Sequence, residues 1–266
     1  MAVLPAENII PPACRRLQAL AERDPRRAVP LARRALDALQ AGDPLAQVWA
    51  RYTLGWALLC WERFDAARPQ LQAAQAAFAV HGARLALLRC RHALLLADLA
   101  QLARPDLEED FAVLAEDLRL AGVPKMAASV SIDHARLLYA LGRPHDADAI
   151  LDRIAPIVER SELFDRARFL RIRGAVANLH NDHARAVDLL TQAERSFTAL
   201  HNRREVAKCW VERGWVALRQ EQLDAALADY RRAERMFKQL DLPLQLAFCA
   251  KNIGLLLSRR GVYDMA

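Results

Sequence analysis

Glycine, paired cysteines and long apolar runs are scarce in this sequence. Only nine of its 266 residues are glycine and twelve are proline, whereas alanine, leucine and arginine are abundant. Alanine, leucine and arginine are strong helix formers. Runs of β-branched residues with a period of two, which mark strands, are missing. The composition therefore predicts an all-α protein without a sheet.

The five cysteines are scattered and odd in number, which argues against a disulfide framework. Cys90, Cys209 and Cys249 lie 40 or 119 residues apart, at one position of the repeat described below. A free cysteine in such a position acts as a small hydrophobe. We therefore expect a reducing, cytoplasmic location. The N-terminus lacks the features of a signal peptide, and no apolar run approaches the length of a membrane span.

Patterns of enzyme chemistry are also missing. The sequence contains no glycine-rich phosphate loop, no HExxH and no GxSxG. His180 and His183 are three residues apart in a predicted turn, but no further cysteine or carboxylate cluster completes a metal site there. We expect no enzyme activity, no cofactor and no bound metal.

The chain does contain a repeat of about 40 residues. A small or apolar marker residue recurs at steps of 39 or 40 residues, at Gly55, Leu95, Ala135, Gly174, Gly214 and Gly254. Two further small markers follow the first one, at Ala67 and Ala74 in the first clear copy. Recurrence at a fixed period of this length is the signature of stacked helical repeats. Small residues are expected wherever the two helices of a hairpin cross closely.

The repeat predicts the domain organisation. Residues 1–12 are expected to be a flexible lead-in, and residues 13–266 an array of about six helix pairs. Residues 261–266 align with residues 62–67, so the last repeat is predicted to be incomplete. Because the end of a helical array needs a capping helix, this suggests an effector domain C-terminal to Ala266. The alternative is that the last helix docks on another chain.

The repeat resembles the tetratricopeptide (TPR) repeat. Trp210, Gly214, Ala226, Tyr230 and Ala233 match the residue types and spacing of that family, and the resemblance covers about residues 13–266. The period is longer than the usual TPR period of about 34 and falls in the range of HEAT-type repeats, but the glycine and alanine markers favour TPR. The resemblance implies a right-handed α-solenoid of TPR-like helical hairpins. Long TPR units of this kind resemble those of bacterial CHAT peptidases and regulatory ATPase activators, in which the array senses or docks a partner.

The TPR resemblance also implies a concave groove lined by the first helix of each pair. With the glycine marker as position 8, positions 2, 5, 9, 12 and 13 of that helix point inward. The predicted partner-binding residues are Trp49, Tyr52, Trp56, His92, Arg136, Tyr139, Arg168, Arg171, Asn178, Lys208, Trp215, Arg219, Lys251 and Arg259. This set is aromatic at the N-terminal end and basic at the C-terminal end, and it contains no acidic residue.

These residues lead to two functional hypotheses. Arginine offers bidentate donors to carboxylates, and aromatic side chains supply rigid contact area, so we expect a protein or peptide partner with acidic and apolar residues. Substitution of Arg168 and Arg171 by Glu is then expected to abolish binding. The alternative partner is single-stranded RNA, although Tyr139 and Trp215 alone interleave with the basic residues as stacking would require. A third interpretation involves no partner: the tryptophans pack against the N-terminal helices, and the arginines are solvated.

Overall fold

A computed structural model describes residues 9–39, 43–101, 104–259 and 261. Within these ranges the chain forms α-helices joined by short turns, and no strand occurs. Most of the predicted lead-in and most of residues 261–266 of the incomplete last repeat lie outside the described residues. The all-α prediction is confirmed for the described part of the chain.

The helices follow one another in antiparallel pairs. They are α1 (Pro12–Arg23), α2 (Pro25–Ala38), α3 (Pro44–Cys60), α4 (Phe64–Val80), α5 (Arg84–Gln101), α6 (Leu107–Leu120), α7 (Pro124–Ala140), α8 (Pro144–Val158), α9 (Leu163–Leu179), α10 (His183–Ala199), α11 (Arg203–Arg219), α12 (Leu223–Leu240) and α13 (Pro243–Arg259). The chain divides into two compact units, residues 1–137 and 138–266.

The starts of α2 and α3 have a local cause in the sequence. The side chain of Asp24 accepts a hydrogen bond from the backbone N–H of Arg27, and Pro25 is the first residue of α2. Asp43 caps α3 in the same way through the N–H of Leu45. An aspartate followed by proline satisfies one free N–H group and supplies a backbone angle already suited to the helix.

The turns inside the hairpins share one backbone conformation. The residue after the helix cap has a positive φ at equivalent positions, 59° at Glu62, 64° at Asn181 and 59° at Glu221. The next residue then donates a backbone hydrogen bond back into the helix, as in the 2.9 Å bond from Arg63 to Leu58. This is the Schellman arrangement, which satisfies the last carbonyl groups of the helix and reverses the chain.

The small marker residues lie where helices cross, as the repeat predicts. A Cβ added to Gly55 would lie 2.8 Å from the side chain of Leu71, and one added to Gly214 would lie 3.0 Å from the ring of Tyr230. Each glycine is on the first helix of a hairpin and faces the second helix. Any larger residue would push the two helices apart, because protein interiors have few voids to absorb the extra volume.

The core runs between the helices of each unit. In residues 1–137 it includes Cys14 and Ala21 of α1, Ala28 of α2, and the buried faces of α3 and α4. In residues 138–266 its largest buried side chains include Phe197, Tyr230 and Phe237. A core that continues from one helix pair to the next is expected of stacked repeats, since each pair buries its apolar face on its neighbours.

Candidate partner-binding surface

The aromatic end of the predicted groove lies in the core. Trp49 is 1% exposed and makes edge contacts with Tyr52 and with Phe78 of α4, at ring distances of 5.8 and 4.8 Å. Helix α1 packs against α3, where Gln18 donates a 2.9 Å hydrogen bond to the hydroxyl of Thr53. The expectation that Trp49 and Tyr52 line an open groove is therefore corrected.

Trp56 is only partly buried and packs against the same core. The remaining tryptophan of the set, Trp215, belongs to the other unit and lies on a surface described below. Trp49, Tyr52 and Trp56 thus belong to one core with residues of α1, α2 and α4, although the repeat register alone places them on the inner face. This agrees with the interpretation in which these tryptophans are packing residues.

His92 and Arg136 share an acidic partner that the sequence analysis missed. The buried carboxylate of Asp133 lies 2.9 Å from the Nε2 atom of His92 and 3.6 Å from the Nε atom of Arg136. Asp133 is at position 6 of its repeat, outside the set of positions predicted to point inward. Its pairing with Arg136 at a spacing of three residues is the sequence signal that indicates this contact.

The basic residues of α9 and α11 form a buried ion network with two glutamates. Arg171 is 6% exposed, and its guanidinium group lies 3.5 Å from a carboxylate oxygen of Glu205 and 3.9 Å from one of Glu212. Lys208 lies 2.7 Å from Glu205. The hydroxyl of Tyr139 donates a 2.9 Å hydrogen bond to Glu212. These cations are neutralised inside the protein and do not form the basic surface that was expected.

The pKa values of the two glutamates shift in opposite directions. Burial alone would raise the pKa of Glu205, but Lys208, Arg171 and Arg204 outweigh burial and hold that pKa far below its usual value. Burial raises the pKa of Glu212, although Arg171 and the Tyr139 hydroxyl act against it. The network therefore contains one firmly ionised carboxylate and one that holds its proton more readily than a free glutamate.

Two further predicted residues also have intramolecular partners in the same unit. Arg168 pairs with Asp165 at 3.1 Å, one helical turn before it. Asn178 is almost fully buried, and its side-chain oxygen lies 2.9 Å from the Nδ1 atom of His183. The pair Asp165 and Arg168 again has the spacing of three residues, so the same sequence signal applies.

Helix α13 carries two of the predicted residues on an exposed face. Phe248 is 50% exposed and Leu255 is 40% exposed. Lys251 and Arg259 are exposed as well. The spacings of three, four and seven residues place these side chains on one face of the helix. This face is apolar and basic, which is the chemistry predicted for the groove.

A pocket next to this face brings together three of the predicted residues. Its volume is about 360 Å³, and it is lined by Asn181, Trp215, Leu218, Arg219, Glu221 and Arg259. Arg219 donates a 2.6 Å hydrogen bond to the side-chain oxygen of Asn181. The pocket therefore combines one aromatic and two basic residues with one acidic residue, and it offers an apolar group and a carboxylate contacts at one place. Asn181 and Glu221 come from the hairpin turns with positive φ, which the register of the helices does not reveal.

The histidines near the turn before α10 pair with neighbouring side chains. No group of three or more His, Cys, Asp or Glu side chains in the described ranges is arranged to hold a metal ion. His180 lies 2.8 Å from Asp148, and its ring is 4.6 Å from that of His145.

Among the residues described by the structure, no helix is long and apolar enough to cross a bilayer.

Comparison with known proteins identifies the fold but no family. No protein-family description matches the sequence, and no curated protein matches it. The structure is similar to that of NprR in complex with its cognate peptide NprX, with a TM-score of 0.69 and 14% identity over 97% of this chain and 78% of that chain. It is also similar to a Rap protein complexed with competence and sporulation factor, with a TM-score of 0.62 and 12% identity over 96% of this chain and 72% of that chain. At these identities the likeness shows a TPR-like array of helical hairpins.

Proposed function

We propose that this protein is a regulatory, non-enzymatic scaffold that binds a peptide or protein segment with acidic and apolar residues. The segment binds to the surface formed by the pocket at Trp215, Arg219 and Arg259 and by the exposed face of α13. The observation that carries the proposal is the convergence of two arginines and a tryptophan on one pocket. Two proteins with a similar fold are complexed with NprX and with competence and sporulation factor, which supports a peptide ligand.

The chemistry of this surface supports the same partner. Arginine side chains bind carboxylates through paired hydrogen bonds, and a half-exposed aromatic ring gives a large contact area at small entropic cost. Phe248 and Leu255 extend the apolar contact along α13 for two helical turns. The partner segment should therefore combine one or two carboxylates with large apolar residues.

A displayed library of random peptides tests this proposal. We expect the protein to enrich peptides that contain Asp or Glu beside Leu, Phe or Met. The variant Arg219→Glu with Arg259→Glu should bind the selected peptide at least tenfold more weakly, which corresponds to a loss of about 1.4 kcal/mol. The control is Arg185→Glu with Arg195→Glu, which changes two exposed arginines of α10 and the same amount of charge. Equal affinities of the two variants, or no enrichment by the wild type, would contradict the proposal.

We also propose that the array regulates an attached effector in a longer signalling protein of the CHAT-peptidase or regulatory-ATPase kind. This proposal rests on the resemblance of the repeats to the long TPR units of such proteins. The intact mass of the protein produced from its native gene tests it. A mass well above 29.8 kDa is expected, and a mass of 29.8 kDa would contradict it.

The cytoplasm is the location that the cysteines support. All five are free thiols buried in the protein. In an oxidising compartment a thiol that formed a disulfide would lose its packing, whereas the cytoplasm keeps thiols reduced. Thiol labelling of the denatured native protein without reductant should modify all five cysteines. Fewer labelled cysteines would contradict a cytoplasmic location.

The RNA hypothesis finds less support in the contacts. Tyr139 donates its hydroxyl to Glu212, and Arg171 is paired with two glutamates, so neither is available to stack on a base or to contact a phosphate. A steep fall in the affinity for single-stranded RNA with rising salt would be needed to restore it.

A further inference from the structure

The first two helices hold most of the excess positive charge of the chain. Residues 12–38 contain seven arginines and three carboxylates, a net charge of +4, whereas the whole chain has a net charge of +6. These residues lie in the N-terminal unit, away in sequence from the surface proposed to bind a peptide. A concentration of positive charge on a small part of the surface raises the electrostatic potential there and attracts negatively charged partners.

Helix α2 arranges four of these arginines in two rows. Its buried side consists of Pro25, Ala28, Val29 and Ala32. Arg26 and Arg33 form one row on the exposed side, and Arg27 and Arg34 form the other. Within each row the spacing of seven residues is two helical turns, or about 10.5 Å along the axis.

These four guanidinium groups have no acidic partner among the described residues. Elsewhere in the same unit, Arg68 lies 2.6 Å from Asp98 and Arg91 lies 3.1 Å from Asp117. The side chain of Asp24 caps the helix, and Asp37 lies at the C-terminal end of the exposed face. Like charges about 10 Å apart repel at low salt, and an acidic partner would relieve this repulsion.

The apolar residues next to the arginines indicate what kind of partner fits. Pro30 is exposed between the two rows, and Leu31, which is 42% exposed, lies beside the row of Arg27 and Arg34, so the face is apolar as well as basic. Residues 12–38 contain no aromatic residue on which a nucleotide base could stack. The apolar side of α2 is buried in the core, so the helix cannot lie in a membrane surface. An acidic protein helix remains, with carboxylates seven residues apart and an apolar residue between them.

We propose that the exposed face of α2 is a second interaction surface, which docks an acidic, amphipathic helix of a partner protein. Glutamates or aspartates of that helix pair with Arg26, Arg27, Arg33 and Arg34. A leucine or similar residue of the partner contacts Pro30 and Leu31. The surface belongs to the N-terminal unit and shares no residue with the pocket at Trp215.

The probe for this proposal is a labelled, alanine-rich helical peptide with pairs of glutamates seven residues apart and a leucine between them. Its affinity is measured by fluorescence anisotropy at 50 mM NaCl for the wild type and for Arg26→Glu with Arg33→Glu. We expect at least tenfold weaker binding by the variant. Arg26 lies in the first turn of α2, where an acidic residue is favourable to the helix, so the variant is expected to fold.

Three controls make the result specific. Arg231→Glu with Arg235→Glu, two exposed arginines of α12, should change the affinity by less than threefold. A peptide with lysines in place of its glutamates should regain affinity for the Arg26→Glu, Arg33→Glu variant. A pocket variant, Arg219→Glu with Arg259→Glu, should bind the probe like the wild type, which separates this proposal from the proposed function.

The proposal is overturned by any of three results. The first is no binding of the acidic peptide by the wild type. The second is equal loss of affinity in the α2 and α12 variants, since this would show an effect of net charge alone. The third is tighter binding of a 20-nucleotide single-stranded DNA, or of vesicles of an anionic lipid, through the same arginines.

Discussion

Removal of the charge of Glu205 should destabilise the C-terminal unit, whereas the same change at Glu212 should not. Glu205 is buried and forms ion pairs with three cations, Arg171, Arg204 and Lys208. Loss of one partner from a buried ion pair typically costs about 3–5 kcal/mol. Glutamine keeps the size of the side chain, and Lys208 retains some contact with water, so we expect about 3 kcal/mol for Glu205→Gln.

Glu212 gives the matched control, because it belongs to the same network and is also removed from water. Its pKa is raised by burial, so its ionised form is disfavoured in the folded protein. Glutamine can still accept the hydrogen bond from Tyr139. We expect Glu212→Gln to change the free energy of unfolding by less than about 1 kcal/mol at neutral pH, or to raise it.

The two substitutions also differ in their dependence on pH. The pKa of Glu205 in the folded protein lies far below the usual 4.5, so its contribution is present above that value and is lost as the pH falls through the folded pKa. The destabilisation by Glu205→Gln should therefore shrink in acid. The pKa of Glu212 is raised above 4.5, so wild type should lose stability relative to Glu212→Gln as the pH rises through the folded pKa.

Urea unfolding at several pH values measures both effects. With a dependence of about 3 kcal/mol per molar urea, the loss expected for Glu205→Gln lowers the midpoint by roughly 1 M at pH 7. The midpoint of Glu212→Gln should stay close to that of the wild type. Equal midpoints for the two variants at pH 7, or a larger effect of Glu205→Gln in acid than at neutral pH, would refute this assignment of charges.

Two further predictions follow from packing. Gly55→Ala should lower the free energy of unfolding, because the added Cβ would lie 2.8 Å from Leu71. Gly254→Ala should raise it by about 0.5–1 kcal/mol, because no described atom lies within 4 Å of the added Cβ and alanine favours a helix. Thermal unfolding followed by circular dichroism compares the two variants, and a change of the same sign in both would contradict the crossing geometry. Trp49→Ala should cost about 3–5 kcal/mol of stability and leave the affinity for the library-selected peptide unchanged, since Trp49 is a core residue. A stable variant that no longer binds the peptide would show instead that Trp49 contacts the partner.

The sequence predicted the helices well because their ends have local causes. The Asp-Pro starts of α2 and α3 and the positive-φ turn after α3 each depend on a few neighbouring residues. The marker spacing predicted the close crossing at Gly55, since a crossing that recurs every 40 residues leaves a periodic trace.

The site was harder to predict because exposure depends on distant packing. The register of α3 places Trp49 on its inner face, but only the arrangement of α1 on α3 shows that this part of the face is covered. Similarly, Arg171 lies 34 residues before Glu205 and 41 before Glu212, and no local spacing joins them. For this reason Arg168→Glu with Arg171→Glu tests folding as well as binding, and the exposed Arg219 and Arg259 give a cleaner test.

The surface of the C-terminal unit is the centre of the proposed function, and photo-crosslinking tests it most directly. The library-selected peptide is synthesised with a benzophenone side chain at an apolar position, irradiated with the protein, and mapped by mass spectrometry. Crosslinks should fall on Trp215, Phe248 or Leu255. Crosslinks confined to the N-terminal unit, or spread without preference over the protein, would contradict a binding surface at the pocket and α13.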